Sequence, residues 1–334
     1  MKKIINYCSL LVLAVCLNAC TEIVPLKDLG VKPKLVLHCF ATPQYDTIPV
    51  YLTNSQPFFS SAQAVMEVTN AVVEISLDNQ NWQQLQYNRK KKCYLWLQFQ
   101  MPVVEGQTYY IRASAPDYDD ISASCTVPFW REVNLQPEFQ FTEHPKSDNY
   151  PFASFYISWD DYRGEENYYA GMRYYFNSWY YNEEDYYRDY FNHYVLWGDD
   201  GKTVLSDDGR DGQKMRLLVT EMYGDNMYRD DTERFFNDNP QYDTVYILFV
   251  QTDKHACLYE NSVDAAGEME FMIFTVEPSL IYTNVKNGYG VFGAMLFKPY
   301  MASFRNGTIE AGEYPTPSPF EAVLKSKNRS SRKK

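Results

Sequence analysis

Between Leu35 and Val127 apolar and polar residues alternate over short runs, without the three-to-four-residue spacing of a helix. The runs are Leu35–Phe40, Ile48–Thr53, Ala71–Leu77, Trp82–Asn88, Cys93–Phe99, Gln107–Ala113 and Ile121–Val127. Turn-forming stretches divide them: Asp78-Asn79, the basic tip Asn88–Lys92, Glu105-Gly106 and Ala115–Asp120. Successive side chains of a strand point to opposite faces, so a period near two marks a strand with one buried face. Short strands separated by turns roughly every 8–12 residues predict an immunoglobulin-like β-sandwich, here over residues 34–128.

After a linker at 129–153, the same pattern returns over 154–315. Phe155, Ile157 and Trp159 point one way, while Ser154, Tyr156, Ser158 and Asp160 point the other. Further strands are expected at Asn167–Phe176, Tyr194–Trp197, Met215–Thr220 and Thr244–Gln251. The unbroken apolar run Val245–Val250 predicts a central strand buried on both faces. A short helix is expected at Glu183–Tyr194, capped by Asn182, and another at Lys254–Ser262 behind Asp253. Acidic, glycine-containing loops fill Gly198–Gly212 and Gly224–Asp243. The predicted fold is mainly β: an N-terminal immunoglobulin-like sandwich, then a second β-rich domain with one or two short helices and long acidic loops.

The N-terminus follows another pattern. Lys2 and Lys3 precede a short apolar run, Ile4–Leu17, which ends at Leu17-Asn18-Ala19-Cys20. This resembles a bacterial lipobox, with residues 1–19 as the signal peptide and Cys20 as the lipidated first residue of the mature chain. The bland alternative is an uncleaved N-terminal helix. One acyl chain anchors only marginally, and the resemblance implies two or three on Cys20. Residues 20–33 then form a leash, with Pro25, Gly30 and Pro33 opposing regular structure. Later apolar runs fall far short of the roughly 20 residues of a helical span. The basic segment 316–334 is expected to be a solvated tail.

Composition narrows the function. A formal charge of -12 opposes nucleic-acid binding, which rests on neutralising phosphates. No Gly-x-Ser-x-Gly, His-Glu-x-x-His or phosphate-loop pattern occurs, and His38, His144, His193 and His255 lack metal-ligand spacing. No cofactor is expected. Asp207, Asp208 and Asp211, in a glycine-turned loop, are weak calcium candidates, with solvated acidic loops the simpler reading. Of the cysteines beyond the anchor, Cys39 and Cys125 fall on the first and last strands of the predicted sandwich and form the first pair to test for a disulfide. Aromatic residues make up 17% of the chain and crowd Tyr150–Trp197. Trp179, Tyr180, Tyr181, Tyr186 and Tyr187 are the candidate binding patch there, since rings not absorbed by the core offer flat faces to a ligand.

Near the C-terminus Glu277-Pro278-Ser279-Leu280-Ile281-Tyr282-Thr283-Asn284-Val285 is followed by Gly288-Tyr289-Gly290-Val291-Phe292-Gly293-Ala294. With the lipobox, the opening Lys34-Leu35-Val36-Leu37 and the closing Ser124-Cys125-Thr126-Val127-Pro128, this order resembles the Bacteroidetes lipoprotein family known as domain of unknown function four-two-four-nine. The motif residues Glu277, Pro278, Asn284, Gly288, Gly290, Phe292 and Gly293 read as structural: Tyr282–Val285 and Val291–Met295 are expected to pair as a hairpin across Lys286-Asn287-Gly288. The resemblance implies a non-enzymatic accessory lipoprotein of a TonB-dependent outer-membrane receptor in nutrient uptake. It would be anchored through Cys20, with the cell surface favoured over the periplasmic face. The alternative is a stand-alone surface adhesin or glycan-binding lipoprotein.

Overall fold

The computed structural model describes residues 32–55, 67–141, 151–177, 190–223, 231–239, 243–269 and 280–312. The N-terminal strands are β1 (Leu35–Ala41), β2 (Thr47–Asn54), β3 (Val72–Ser76), β4 (Gln83–Gln84), β5 (Gln86–Asn88), β6 (Cys93–Leu97), β7 (Thr108–Ser114) and β8 (Ile121–Thr126). Next come β9 (Gln136–Phe141), β10 (Pro151–Asp160), β11 (Tyr168–Asn177), β12 (Tyr190–Val195), β13 (Trp197–Gly198), β14 (Val204–Ser206) and β15 (Lys214–Tyr223). Helix α1 (Thr232–Asp238), β16 (Thr244–Thr252), helix α2 (Lys254–Met269), β17 (Tyr289–Ser303) and β18 (Thr308–Ala311) complete the order. The chain is mainly β, as its alternation predicts.

One sheet runs β12-β11-β16-β17-β1-β2-β6-β5 and belongs to both halves of the molecule. A four-stranded sheet, β4-β3-β7-β8, covers its N-terminal part; another, β13-β15-β10-β9, covers the rest. Two cores result. In the first, Leu37, Val50, Trp96, Tyr109, Ile111 and Cys125 pack together; in the second, Phe155, Ile157, Trp159, Tyr169, Leu217 and Phe249 do. The alternation of β1, buried at every second residue, follows from one face meeting this core. The Val245–Val250 run lies in β16, hydrogen-bonded on both sides and buried on both faces.

β17 joins the halves. Its first part pairs in parallel with β1, from Val36 opposite Tyr289 to Ala41 opposite Ala294. Its second part pairs antiparallel with β16, from Thr252 opposite Met295 to Thr244 opposite Ser303. The expected hairpin between Tyr282–Val285 and Val291–Met295 therefore does not form. The strand turned toward a partner distant in sequence, because β1 offers a complete edge and the core behind it takes Phe292, Ala294 and Leu296.

Two other expectations change. Tyr190–Tyr194, placed at the end of a helix by its aromatic spacing, lies in strand β12, paired with β11; aromatic residues serve a strand as readily once a neighbouring edge is present. The rest of that helix lies outside the described residues. The 129–153 stretch, expected to be a linker, carries β9, and its Phe139 packs on Phe155, Phe235 and Phe236. Cys39, Cys93, Cys125 and Cys257 are free and buried. Burial pushes the thiols of Cys39 and Cys125 well above the ordinary range, which keeps them protonated and unreactive.

Gly290 decides whether β17 can lie against β1. Its φ is +93°, and a Cβ there would sit 2.0 Å from the Leu37 carbonyl oxygen. Gly290→Ala is expected to cost more than about 3 kcal/mol, combining a backbone clash with a strained dihedral. Because β17 serves both cores, hydrogen exchange should show β1 and β16 amides losing protection together. Loss confined to β1 would mean that the halves unfold separately.

Candidate functional site

The segment before β17 runs along the edge of β8. Lys286 and Ser122 exchange backbone hydrogen bonds, the Lys286 amide donating to the Ser122 carbonyl at 2.8 Å. The Asn284 side chain closes the gap between the two sheets: its Nδ2 donates to the Phe292 carbonyl (2.8 Å) and the Ser124 carbonyl (3.1 Å), and its Oδ1 accepts from the Phe292 amide (3.0 Å). One carboxamide thus acts as a length of strand. Asn287, at φ 61°, turns the chain and donates from Nδ2 to the Asp120 carbonyl. Gly288 has Leu35 and Ile121 where a side chain would be, and Gly293 leaves room for Asp253 and Ala256. The motif residues Asn284, Gly288, Gly290, Phe292 and Gly293 therefore meet at one seam. Glu277 and Pro278 lie outside the described residues, as do Cys20 and the aromatic candidates Trp179, Tyr180, Tyr181, Tyr186 and Tyr187.

Asp253 precedes α2 at this seam. Its Oδ1 accepts from the amides of Ala256 (2.9 Å) and Ala294 (3.1 Å), tying the helix start to β17. Its Oδ2 is buried without a hydrogen-bond partner. Burial raises its pKa to about 7, against the opposing pull of the backbone bonds. Beside it the His255 Nδ1 and the Tyr282 hydroxyl share a hydrogen bond of 2.7 Å.

A groove of about 260 Å³ opens where the seam meets the outer face of the β4-β3-β7-β8 sheet. Inward residues of β7 and β8 such as Ile111 and Cys125 are core, so Tyr110, Ser122 and Ser124 face out. The register aligns Ser76, Tyr110 and Ser124 in one cross-strand row and Glu74, Arg112 and Ser122 in the next. Lys286 extends the second row, on the same face as its bridge partner Ser122. Asn79 and Trp82 form the opposite wall. Trp82 is held by the Arg112 guanidinium, 4.2 Å from its ring centre, and Arg112 is held by Glu74 at 2.7 Å. The Lys286 ammonium, the Asn79 amide and the hydroxyls of Tyr110, Ser122 and Ser124 make no side-chain hydrogen bond among the described residues. Two rings and several unengaged donors around one concavity form a site suited to a small polar ligand with an apolar face.

Sequence reasoning singled out Asn284 but missed Asn79, Trp82, Tyr110 and Lys286 as members of one site. The outward alternation of Tyr110, Ser122 and Ser124 was a signal; the pairing of Lys286 with Ser122 was not visible. Two of the calcium candidates are taken up by backbone groups. Asp207 Oδ2 accepts from the Asn167 amide (2.9 Å), and Asp211 Oδ1 accepts from the Gly164 amide (2.8 Å). The Asp208 backbone amide donates to the Ser206 hydroxyl. Among the described residues no group of three or more such side chains is placed to hold a metal ion. Burial raises the pKa of Asp207, and the loop uses its carboxylates to bind the backbone of the neighbouring turn at Gly164 and Asn167.

A family model described as domain of unknown function DUF4249 matches residues 21–298. The chain belongs to that family. The match spans both described halves and the seam, and ends within β17. No curated protein matches the chain. Among solved structures, the DUF4249 chain has a slight likeness to a biofilm associated protein, B domain, at 7% identity and a TM-score of 0.18, over 83% of this chain and 88% of that one. A likeness of that size carries no argument. No described helix is long and apolar enough to cross a membrane.

Two outcomes test the seam. Asn284→Ala leaves two carbonyls and an amide without the partners Asn284 supplies, and should cost about 2–4 kcal/mol in denaturant unfolding. Asn284→Asp should be no better, since it faces two carbonyls without a donor. For Asp253, the native pKa of about 7 exceeds the unfolded value near 3.8, so the folded state holds the extra proton between them. Its contribution to stability therefore falls as pH rises from about 4 to about 7, then levels. Thermal melts of the protein and of Asp253→Asn across that window should diverge with rising pH, the Asn variant losing less. Parallel curves would mean that Asp253 is ionised throughout.

Proposed function

We propose that this DUF4249 chain is a non-enzymatic, lipid-anchored protein of the outer membrane that binds a ligand or partner as the accessory subunit of a TonB-dependent receptor in nutrient uptake. The observation that carries the binding role is the groove between Trp82 and Lys286, where rings and unengaged polar groups face one concavity. The anchor rests on Leu17-Asn18-Ala19-Cys20, with the leash to about Lys34 carrying the folded body away from the bilayer. Display on the cell surface would put the groove where ligand arrives. The same aromatic and amide lining also favours a second reading, a stand-alone adhesin or glycan-binding lipoprotein.

The test uses the full-length chain in its native host, tagged at the C-terminus. Labelled palmitate should enter the wild type but not Cys20→Ala, and the variant should leave the membrane fraction. Protease shaving of intact cells should degrade a surface-exposed body. Affinity purification after cross-linking should recover a TonB-dependent receptor in near-equal amount. A lipidated, surface-exposed chain recovered without any receptor would favour the stand-alone reading.

A further inference from the structure

We infer that the groove is a saccharide site selective for acidic sugars, those whose rings carry carboxylates; this rests on the groove being the binding site of the proposed function. Its floor and walls divide the work of binding a sugar. A sugar ring has an apolar face of C–H groups and a rim of hydroxyls, and Trp82 and Tyr110 offer rings to the first. Trp82 is pinned by the Arg112–Glu74 pair, so little side-chain freedom remains to be lost when a ligand stacks on it. Ser122, Ser124 and Asn79 offer hydroxyl and amide groups to the rim.

The charge pattern supplies the selectivity. Arg112 is neutralised by Glu74, with Nε 2.7 Å from the carboxylate. Lys286 has no acidic partner among the described residues, so its ammonium is the cation left to meet a ligand. The backbone exchange with Ser122 fixes where its stem begins, at the rim of the groove, and the flexible stem lets the ammonium reach a ligand there. From β7 through β8 to the Lys286 segment is about 10 Å at ordinary strand spacing. That span accommodates one or two sugar rings, with a ring stacked at the Trp82 and Tyr110 end and a carboxylate at the Lys286 end.

The experiment is calorimetric titration of the full-length chain in detergent with short uronic-acid oligomers of several linkages. Each is paired with its methyl ester, which has the same shape without the charge. At least one acid oligomer should bind, and its ester at least about tenfold more weakly, the scale of one charge-assisted contact. Lys286→Gln should bring acid binding down to the level of ester binding and so remove that preference, and Trp82→Ala should weaken acid and ester alike. Circular dichroism checks that both variants fold, and Lys286→Arg should retain the preference if either replacement disturbs the seam. The inference fails if no oligomer binds, if acid and ester bind equally, if Lys286→Gln keeps the preference, or if polyglutamate of equal charge binds as tightly. Receptor recovery that survives in Lys286→Gln and Trp82→Ala, without sugar binding, would overturn the ligand class and leave the accessory role standing.

Discussion

Everything in this molecule depends on a close backbone contact, that of Gly290 with Leu37 across the β1–β17 ladder. Without a Cβ, Gly290 adopts a φ of +93° and lies where any side chain would strike the Leu37 carbonyl. That approach lets β17 begin in one sandwich and finish in the other. Phe292, Ala294 and Leu296 then enter the first core, while Ala302 reaches the second. The halves share a strand, so the first core, which takes Val285, Phe292, Ala294 and Leu296 from the far end of the sequence, is not closed by its own continuous stretch of chain. The pairing of β1 with β17 brings together residues about as far apart in sequence as this fold allows. Such a contact must close a long loop before its pairing energy is gained, so it favours late formation and a cooperative native state.

The seam's polar groups follow from that crossing. A strand that leaves one sheet for another leaves amides and carbonyls near the junction without ladder partners, and buried ones must be paired. Asn284 meets three of these groups with one side chain, and Asp253 Oδ1 meets two more. Gly293 is small because Asp253 and the first turn of α2 occupy the space. The pattern of asparagine and glycines that distinguishes this C-terminal motif thus records a junction. Asp253 is the exception to this full pairing, since one of its oxygens is buried without a hydrogen bond.

Local structure was legible in the sequence wherever one face of a strand meets a core. The alternation in β1, β2 and β10 located them to within a few residues, and the solid run of β16 announced a central strand. Asn284, Gly290 and Phe292 were also visible as a motif, but their partners were not. The hairpin expected from Asn287-Gly288 was a sound local choice defeated by a distant edge. Tyr190–Tyr194 shows the same limit from another side: rings at helical spacing also suit a strand once β11 is adjacent. Aromatic abundance drew attention to Tyr150–Trp197, whose candidate patch lies outside the described residues, and the rings of the groove are Trp82 and Tyr110. Its identity as a site comes from cross-strand neighbours, and neighbours are what a single sequence does not state.

The groove's chemistry must also be weighed against the charge of the whole chain. A formal charge of -12 repels an anion at long range, which on its own disfavours an acidic ligand. Range decides the matter. At physiological ionic strength the field of distant charges fades over about 8 Å, while a contact between Lys286 and a carboxylate acts within hydrogen-bonding distance. The conspicuous acidic loop, with Asp199, Asp207 and Asp211, belongs to the other half of the molecule. There it is partly engaged by the Asn167 and Gly164 amides and by Arg216. At the groove, the acid of the second row, Glu74, is already engaged by Arg112. Salt should therefore act in two directions, weakening the contact at Lys286 while screening the net repulsion. An affinity that changes little with salt is what this balance of near and far charges implies, and it would distinguish a built site from nonspecific attraction to a basic surface.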